Sequence, residues 1–189
     1  MKDKRNPKKM MPIGPMMIEH RLIERMLAVA RRELERFSRE KYLEPEFIRE
    51  LVDFIRMYAD RCHHGKEEDI LFRELGKKEL SEEHRATTDE LVREHQWARG
   101  QTRELEEATE RYASGDEEAL VTVLARLNAL TEFYPKHIAK EDKRYFLPVM
   151  RYFSEEEKQA MLQEGFAFDQ SLIHEKYRKV VEQAEEAGG

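Results

Sequence analysis

His63-His-Gly-Lys-Glu-Glu-Asp-Ile-Leu-Phe72 and His137-Ile-Ala-Lys-Glu-Asp-Lys-Arg-Tyr-Phe146 align on each other without a gap, and each sets a histidine four residues before a glutamate. On an α-helix those positions share a face about 6 Å apart along the axis. His63 with Glu67, and His137 with Glu141, therefore read as equivalent halves of one site, and each carboxylate can bridge two metal ions. The alignment selects His63 over His64, which sits about 100° further round an α-helix, on a face with Asp60, Arg61 and Glu68. A polar surface role is expected for His64.

Both segments belong to stripes of period 3.6. Met16, His20, Ile23, Leu27, Ala30, Leu34 and Phe37 predict a first helix over 16–38. Pro45, suited to a first helical position, opens a second over 45–75 that carries Ile48, Val52, Ile55, Ala59, His63, Glu67 and Ile70. Ser81 followed by two glutamates offers the N-cap of a third helix over 82–113, with Thr88, Leu91, His95, Ala98, Thr102 and Leu105 on its apolar face. After the turn Ser114-Gly115-Asp116, a fourth is predicted over 117–147, carrying Leu120, Val123, Leu127, Thr131, Tyr134, His137, Glu141 and Tyr145. Pro135 predicts a local kink in it just before His137.

The expected fold is all-α: an antiparallel up-down four-helix bundle over 16–150, preceded by a flexible basic arm over 1–15. A C-terminal helical hairpin over 151–189, with helices at 155–163 and 166–186, follows; its Phe166, Ile173, Tyr177 and Val180 would pack on the bundle.

In antiparallel neighbours, residues equally far from the shared turn lie at one height. His20 and His63 stand roughly 20 and 22 residues from the first turn, and His95 and His137 roughly the same from the third, at about 1.5 Å per residue. All four also lie on the apolar stripe of their own helix. A bundle closed on those stripes turns four imidazoles toward one another. Buried imidazoles without partners are costly and would repel if protonated, so the arrangement asks for a divalent metal that takes neutral nitrogen lone pairs.

The composition fits this reading. Charged residues make up 39% and apolar ones 40% of 189, with eight Gly and six Pro, as long amphipathic helices require. The net charge is −6 and basic residues are interleaved with acidic ones, which argues against nucleic-acid binding. No run of about 18 apolar residues suggests a membrane span, and Cys62 is the sole cysteine. A cytoplasmic protein is expected.

Over about residues 16–150 the sequence resembles the hemerythrin family, specifically bacterial and archaeal proteins with hemerythrin-type cation-binding domains. The resemblance rests on Ile18-Glu-His20-Arg-Leu-Ile-Glu-Arg-Met26, His63-His-Gly-Lys-Glu-Glu68, Glu94-His95 and His137-Ile-Ala-Lys-Glu141. It implies a non-haem di-iron centre with histidines from all four helices and two bridging carboxylates, here Glu67 and Glu141. Oxygen-carrying members have two close histidines on the third helix, whereas here His84 stands eleven residues before His95, about 16 Å away. A fifth nitrogen must come from elsewhere or be missing. The expected donor is His174, beside the Ile173, Tyr177 and Val181 face; an ordinary surface or core histidine is the other reading.

The expected metal ligands are thus His20, His63, Glu67, His95, His137, Glu141 and His174, with Asp142 a substitute for the second carboxylate. Glu24 reads as an acceptor for an imidazole N–H, and Cys62, Tyr134, Tyr145 and Trp97 read as packing. The set is rich in nitrogen and lacks the Glu-x-x-His pairs of ferritin-like proteins, which suits a ferrous pair in reversible ligand binding. His and carboxylate ligands also suit Mn or Zn. The function expected is binding of dioxygen, nitric oxide or peroxide for storage, sensing or detoxification, outside conventional enzymes. The alternatives are a di-iron oxidoreductase, an iron donor for iron–sulfur repair, and a metal-free interaction module.

Overall fold

The computed structural model describes residues 10–169 and 171–187, and these form six helices with no strand among the described residues. Helix α1 is Ile13–Glu40. Pro15 falls in its first turn, where a missing N–H costs nothing, so the helix starts before the expected residue 16. Of the basic arm expected over 1–15, residues 1–9 lie outside the described residues. Lys41, at φ 54°, ends α1 in the left-handed region.

Helix α2 spans 45–75 with Pro45 in its first turn, and α3 is Glu82–Ala113, capped by the Ser81 hydroxyl, which accepts from the His84 N–H at 3.3 Å. The turn after α3 needs Gly115, whose φ is 100°. Helix α4 spans 119–149. The disturbance expected at Pro135 falls later: Ala119–Lys140 is helical throughout, and α geometry gives way at Glu141–Tyr145. Helix α5, Glu155–Phe168, starts with a reciprocal cap between Ser154 and Glu157, and α6 is Ser171–Ala187.

Helix α2 is not a uniform α-helix. Ile55–His64 and Glu67–Phe72 are π-helical, as is Glu141–Tyr145 in α4. A π-turn closes its hydrogen bond one residue later than an α-turn, so each residue advances less around the axis. All three stretches carry candidate ligands.

Helix α1 packs on α4, α4 on α3, α3 on α2, and α2 on α1, which closes a ring of four. The apolar interior falls into two clusters. One contains Ile23, Leu27, Phe37, Ile48, Ala59, Ala98, Leu105, Leu127, Tyr134 and Ile138. The other contains Met16, Ile70, Leu91, Tyr145, Phe146 and Val149. Between them lies a buried polar layer with His20, His63, His64, Glu67, His95, His137 and Glu141.

The C-terminal helices cover one side of this ring, α6 lying on α1 and α2, and α5 on α2. Tyr177 and Val181 are buried, Tyr177 donates to Asp53 at 2.6 Å, and Glu164 takes Arg73 at 2.9 and 2.7 Å. Phe166, expected on the packed face, is instead 46% exposed; the side chain of Ile173 lies outside the described residues. Among the described residues no helix is long and apolar enough to cross a membrane.

Candidate metal centre

Each helix of the ring sends a histidine into the polar layer: His20 from α1, His63 and His64 from α2, His95 from α3 and His137 from α4. The ring centroids of His20 and His63 lie 4.4 Å apart, those of His95 and His137 5.0 Å, and His64 stacks on His95 at 3.8 Å. Glu67 and Glu141 stand among them, fully buried. Glu67 Oε1 lies 3.4 Å from His63 Nε2 while its Oε2 lies 3.3 Å from His95 Nε2. Glu141 Oε2 lies 3.2 Å from His20 Nε2 and its Oε1 3.2 Å from His137 Nε2. Each carboxylate thus offers one oxygen to each of two imidazoles on different helices.

Two groups of potential ligand atoms result, each within 4.8 Å: His20, His63, Glu67 and Glu141, and His64, Glu67, His95 and His137. The Nε2 atoms of His20, His63, His95 and His137, and both oxygens of Glu67 and of Glu141, are buried without a hydrogen-bond partner. Buried polar atoms are nearly always paired, because leaving them bare is costly. So many bare imidazole lone pairs and carboxylate oxygens converging on one volume fit bound cations and little else.

The opposite face of every ring is anchored. His63 Nδ1 meets Glu19 at 2.8 Å, His95 Nδ1 meets Glu68 at 2.7 Å, His137 Nδ1 meets Glu94 at 2.7 Å, and His20 Nδ1 meets Asp142 at 2.8 Å. A carboxylate at Nδ1 accepts its N–H and holds the Nε2 lone pair inward. The pattern runs around the bundle: each acid is the chain neighbour of one ligand and braces a ligand on the next helix. Glu19, beside His20, holds α2; Glu68, beside Glu67, holds α3; Glu94, beside His95, holds α4; Asp142, beside Glu141, holds α1. Each acid is in turn held by a cation: Lys66 on Glu19, Arg99 on Glu68, Lys140 on Glu94 and Arg21 on Asp142. Glu94→Ala is expected to lower metal affinity about 10–100-fold by freeing the His137 ring, measured by competition with a chelator.

Electrostatics agree with a cation site. Burial alone would raise Glu67, but the charge of His63 and His95, whose Nε2 atoms lie 3.4 and 3.3 Å from its oxygens, outweighs it and holds the carboxyl well below its ordinary range. Burial lowers His63, yet the charge of Glu67 and the Glu19 bond win and push it up to about 10. The field of the two glutamates therefore favours positive charge, which a metal supplies in place of protons. His64 goes the other way, down to about 3, through burial and then the charge of His95. It stays neutral.

Four expectations meet a different arrangement. His64 is 1% exposed rather than on the surface, because the π-helical turns of α2 rotate less per residue and bring both adjacent histidines inward; its Nδ1 lies 3.3 Å from Asp60. His174 is not brought to the centre. Its Nε2 meets Asp169 at 2.9 Å and its Nδ1 the Tyr58 hydroxyl at 3.1 Å, in a separate group with Cys62. Lys66 already neutralises Asp169 there, and burial pushes the Cys62 thiol up to about 12, so this group is poorly suited to a cation. Glu24 pairs with Arg21 at 2.9 Å instead of bracing a histidine, and Asp142 braces His20 rather than replacing Glu141. His84 lies apart, bonded to the Tyr152 hydroxyl at 2.8 Å. The adjacent His63-His64 pair and the acids beside His20, Glu67, His95 and Glu141 were the sequence signals for what local reasoning missed.

No curated protein and no solved structure matches the chain. The profile of the hemerythrin HHE cation binding domain matches residues 11–147, a span that holds every member of both ligand groups. By that match and by the residues it covers, the chain belongs to the hemerythrin HHE cation-binding domain family.

Proposed function

We propose that this chain is an antiparallel up-down four-helix bundle that holds a non-haem di-iron pair and binds dioxygen, nitric oxide or peroxide for storage, sensing or detoxification in the cytoplasm. The carrying observation is that Glu67 belongs to both groups of ligand atoms, with one oxygen toward each. A single-ion site has no use for that disposition. The antiparallel arrangement is supported by ion pairs whose partners run in opposite order: Arg21 with Asp142 and Arg31 with Glu132 between α1 and α4, and Arg49 with Glu110 and Arg56 with Glu106 between α2 and α3.

His20 and His63 would hold one ion and His64, His95 and His137 the other, with Glu67 and Glu141 each offering oxygens to both sides. When bound, the pair supplies Lewis acidity and reversible one-electron chemistry. The protein's own residues do the rest. The acids at Nδ1 fix the rings, and the apolar clusters on either side keep bulk water from the layer.

Anaerobic titration of purified protein with ferrous iron, followed by optical spectra and metal analysis, is expected to saturate at two ions per chain. One ion per chain, or none, overturns the di-iron reading; selective uptake of Mn or Zn overturns iron. Loading should also raise the melting temperature, because ligation energy is linked to folding. At a free metal concentration a hundredfold above Kd the gain is about 2.7 kcal/mol. An unchanged transition in chelator, with metal loss verified, counts against a buried centre.

A further inference from the structure

The stretch of α2 that carries three of the ligands is also held from outside the ring. His63, His64 and Glu67 are interleaved with Cys62, Gly65 and Lys66, and all three of these meet the end of α5. Phe168, the last residue of α5, lies over Gly65: a Cβ built there would meet its ring at 3.0 Å, closer than side chains ordinarily pack, so glycine is what lets the ring approach. Asp169 accepts from the Cys62 thiol at 3.2 Å and from the Lys66 ammonium. Both Phe168 and Asp169 lie beyond residue 147, where the family match ends.

The contact continues to the centre. The Lys66 ammonium also donates to Glu19, whose other oxygen meets His63 Nδ1 at 2.8 Å. In the opposite direction Asp169 Oδ2 lies 2.9 Å from His174 Nε2 in α6. Polar contacts therefore run unbroken from a metal ligand to α6, through His63, Glu19, Lys66, Asp169 and His174. Glu19 and Lys66 are buried, so breaking the chain between them strands a charge. Gly65 itself lies between the π-helical stretches Ile55–His64 and Glu67–Phe72, a geometry that is rare without a functional cause. The hairpin is lightly attached by comparison: of the described side chains of α5 and α6, Met161, Leu162, Tyr177 and Val181 are buried. Segments with few buried apolar contacts open at lower free energy than a core.

We propose that α5 and α6 form a metal-responsive element: ions held by His63, His64 and Glu67 fix the surface of α2 on which Phe168 and Asp169 dock, and docking in turn holds those ligands in place. The inference rests on the metal-holding reading above. Such coupling is reciprocal, so the factor that docking adds to metal affinity is the factor that metal adds to docking. The family domain thereby gains an output outside its own span, the packed or loosened state of the C-terminal helices.

The test compares amide hydrogen exchange of the full-length chain loaded with ferrous iron and stripped by chelator, with metal content measured in both. Iron removal should speed exchange in α6 by about 5–150-fold, the usual range of such coupling. Phe168→Ala combined with Asp169→Asn should cut the connection while the ring stays folded. In that variant α3 and α4 still respond to iron, α6 no longer does, and iron affinity, read by chelator competition, falls by a factor in the same range. Glu164→Gln, which loosens α5 at its exposed pair with Arg73, should keep parental iron affinity. Equal α6 exchange in the loaded and stripped parent overturns the proposal. So does a double variant with parental iron affinity, or one whose α6 responds to iron as the parent's does. A loss in Glu164→Gln equal to that of the double variant assigns the effect to hairpin packing at large and overturns the role of Phe168 and Asp169. If the double variant does not fold, Asp169→Asn alone is judged by the same two readings. A parent chain that holds no metal overturns the reading underneath, and this inference with it.

Discussion

Glu67→Gln should retain almost no metal while the protein stays folded. Glu67 is fully buried, neither oxygen has a hydrogen-bond partner, and among the described residues it alone belongs to both ligand groups. The amide keeps the volume but loses the charge and one of the two acceptor oxygens, so both ions are affected at once. Residues that merely brace a ligand cost about 10–100-fold in affinity, and a ligand shared by both ions should exceed the upper end of that range. His63→Ala and His137→Ala should each lower bound iron far more than His84→Ala, whose imidazole is occupied by Tyr152. Chelator competition and circular dichroism on the same samples decide the matter. Two ions held at parental affinity by Glu67→Gln would remove the basis for a bridged pair.

Lys66→Met should be the most destabilising single change outside the ligands. The Lys66 side chain is 1% exposed and its ammonium joins Glu19, itself 2% exposed, to Asp169 at the junction of α1, α2 and the C-terminal helices. Taking away one partner of a buried pair leaves an uncompensated charge, at about 3–5 kcal/mol. For a chain of this length that is a fall in melting temperature of roughly 6–20 °C. Lys66→Met with Asp169→Asn should recover part of the loss, because the second change removes one stranded carboxylate.

The pH dependence follows from Asp169. Burial would raise it, but the bonds from His174 and Lys66 lower it to about 2 from an ordinary 3.8. A depressed carboxyl stabilises the fold above its unfolded value, and that contribution fades as pH falls from about 3.8 toward about 2. In Lys66→Met this acid limb should shrink. A variant with parental stability and an unaltered acid limb would show that the ammonium is not what ties the hairpin to α1.

What the sequence determined by itself is whatever depends on neighbours along the chain. Pro45, Ser81 and Ser114-Gly115 mark helix ends because they act through their own φ or their own side chain, and 45–75 and 82–113 are helical in the structure over those residues. The convergence of His20, His63, His95 and His137 with Glu67 and Glu141 was legible for a related reason. Residues on the buried stripe at matched distances from a turn have nowhere to go but toward one another.

The tertiary structure alone decided the rest. His64 turns inward because α2 widens into π-helical turns around the polar layer, whereas a stripe read at 100° per residue assumes an α-helix throughout. Glu19, Glu68, Glu94 and Asp142 each brace a histidine on another helix, and which one depends on the order of helices around the ring. His174 goes to Asp169 and Tyr58 because α5 and α6 dock through Tyr177, Val181 and Lys66, contacts made far apart in sequence. Local pattern places a side chain on a face; only packing between helices determines what that face meets.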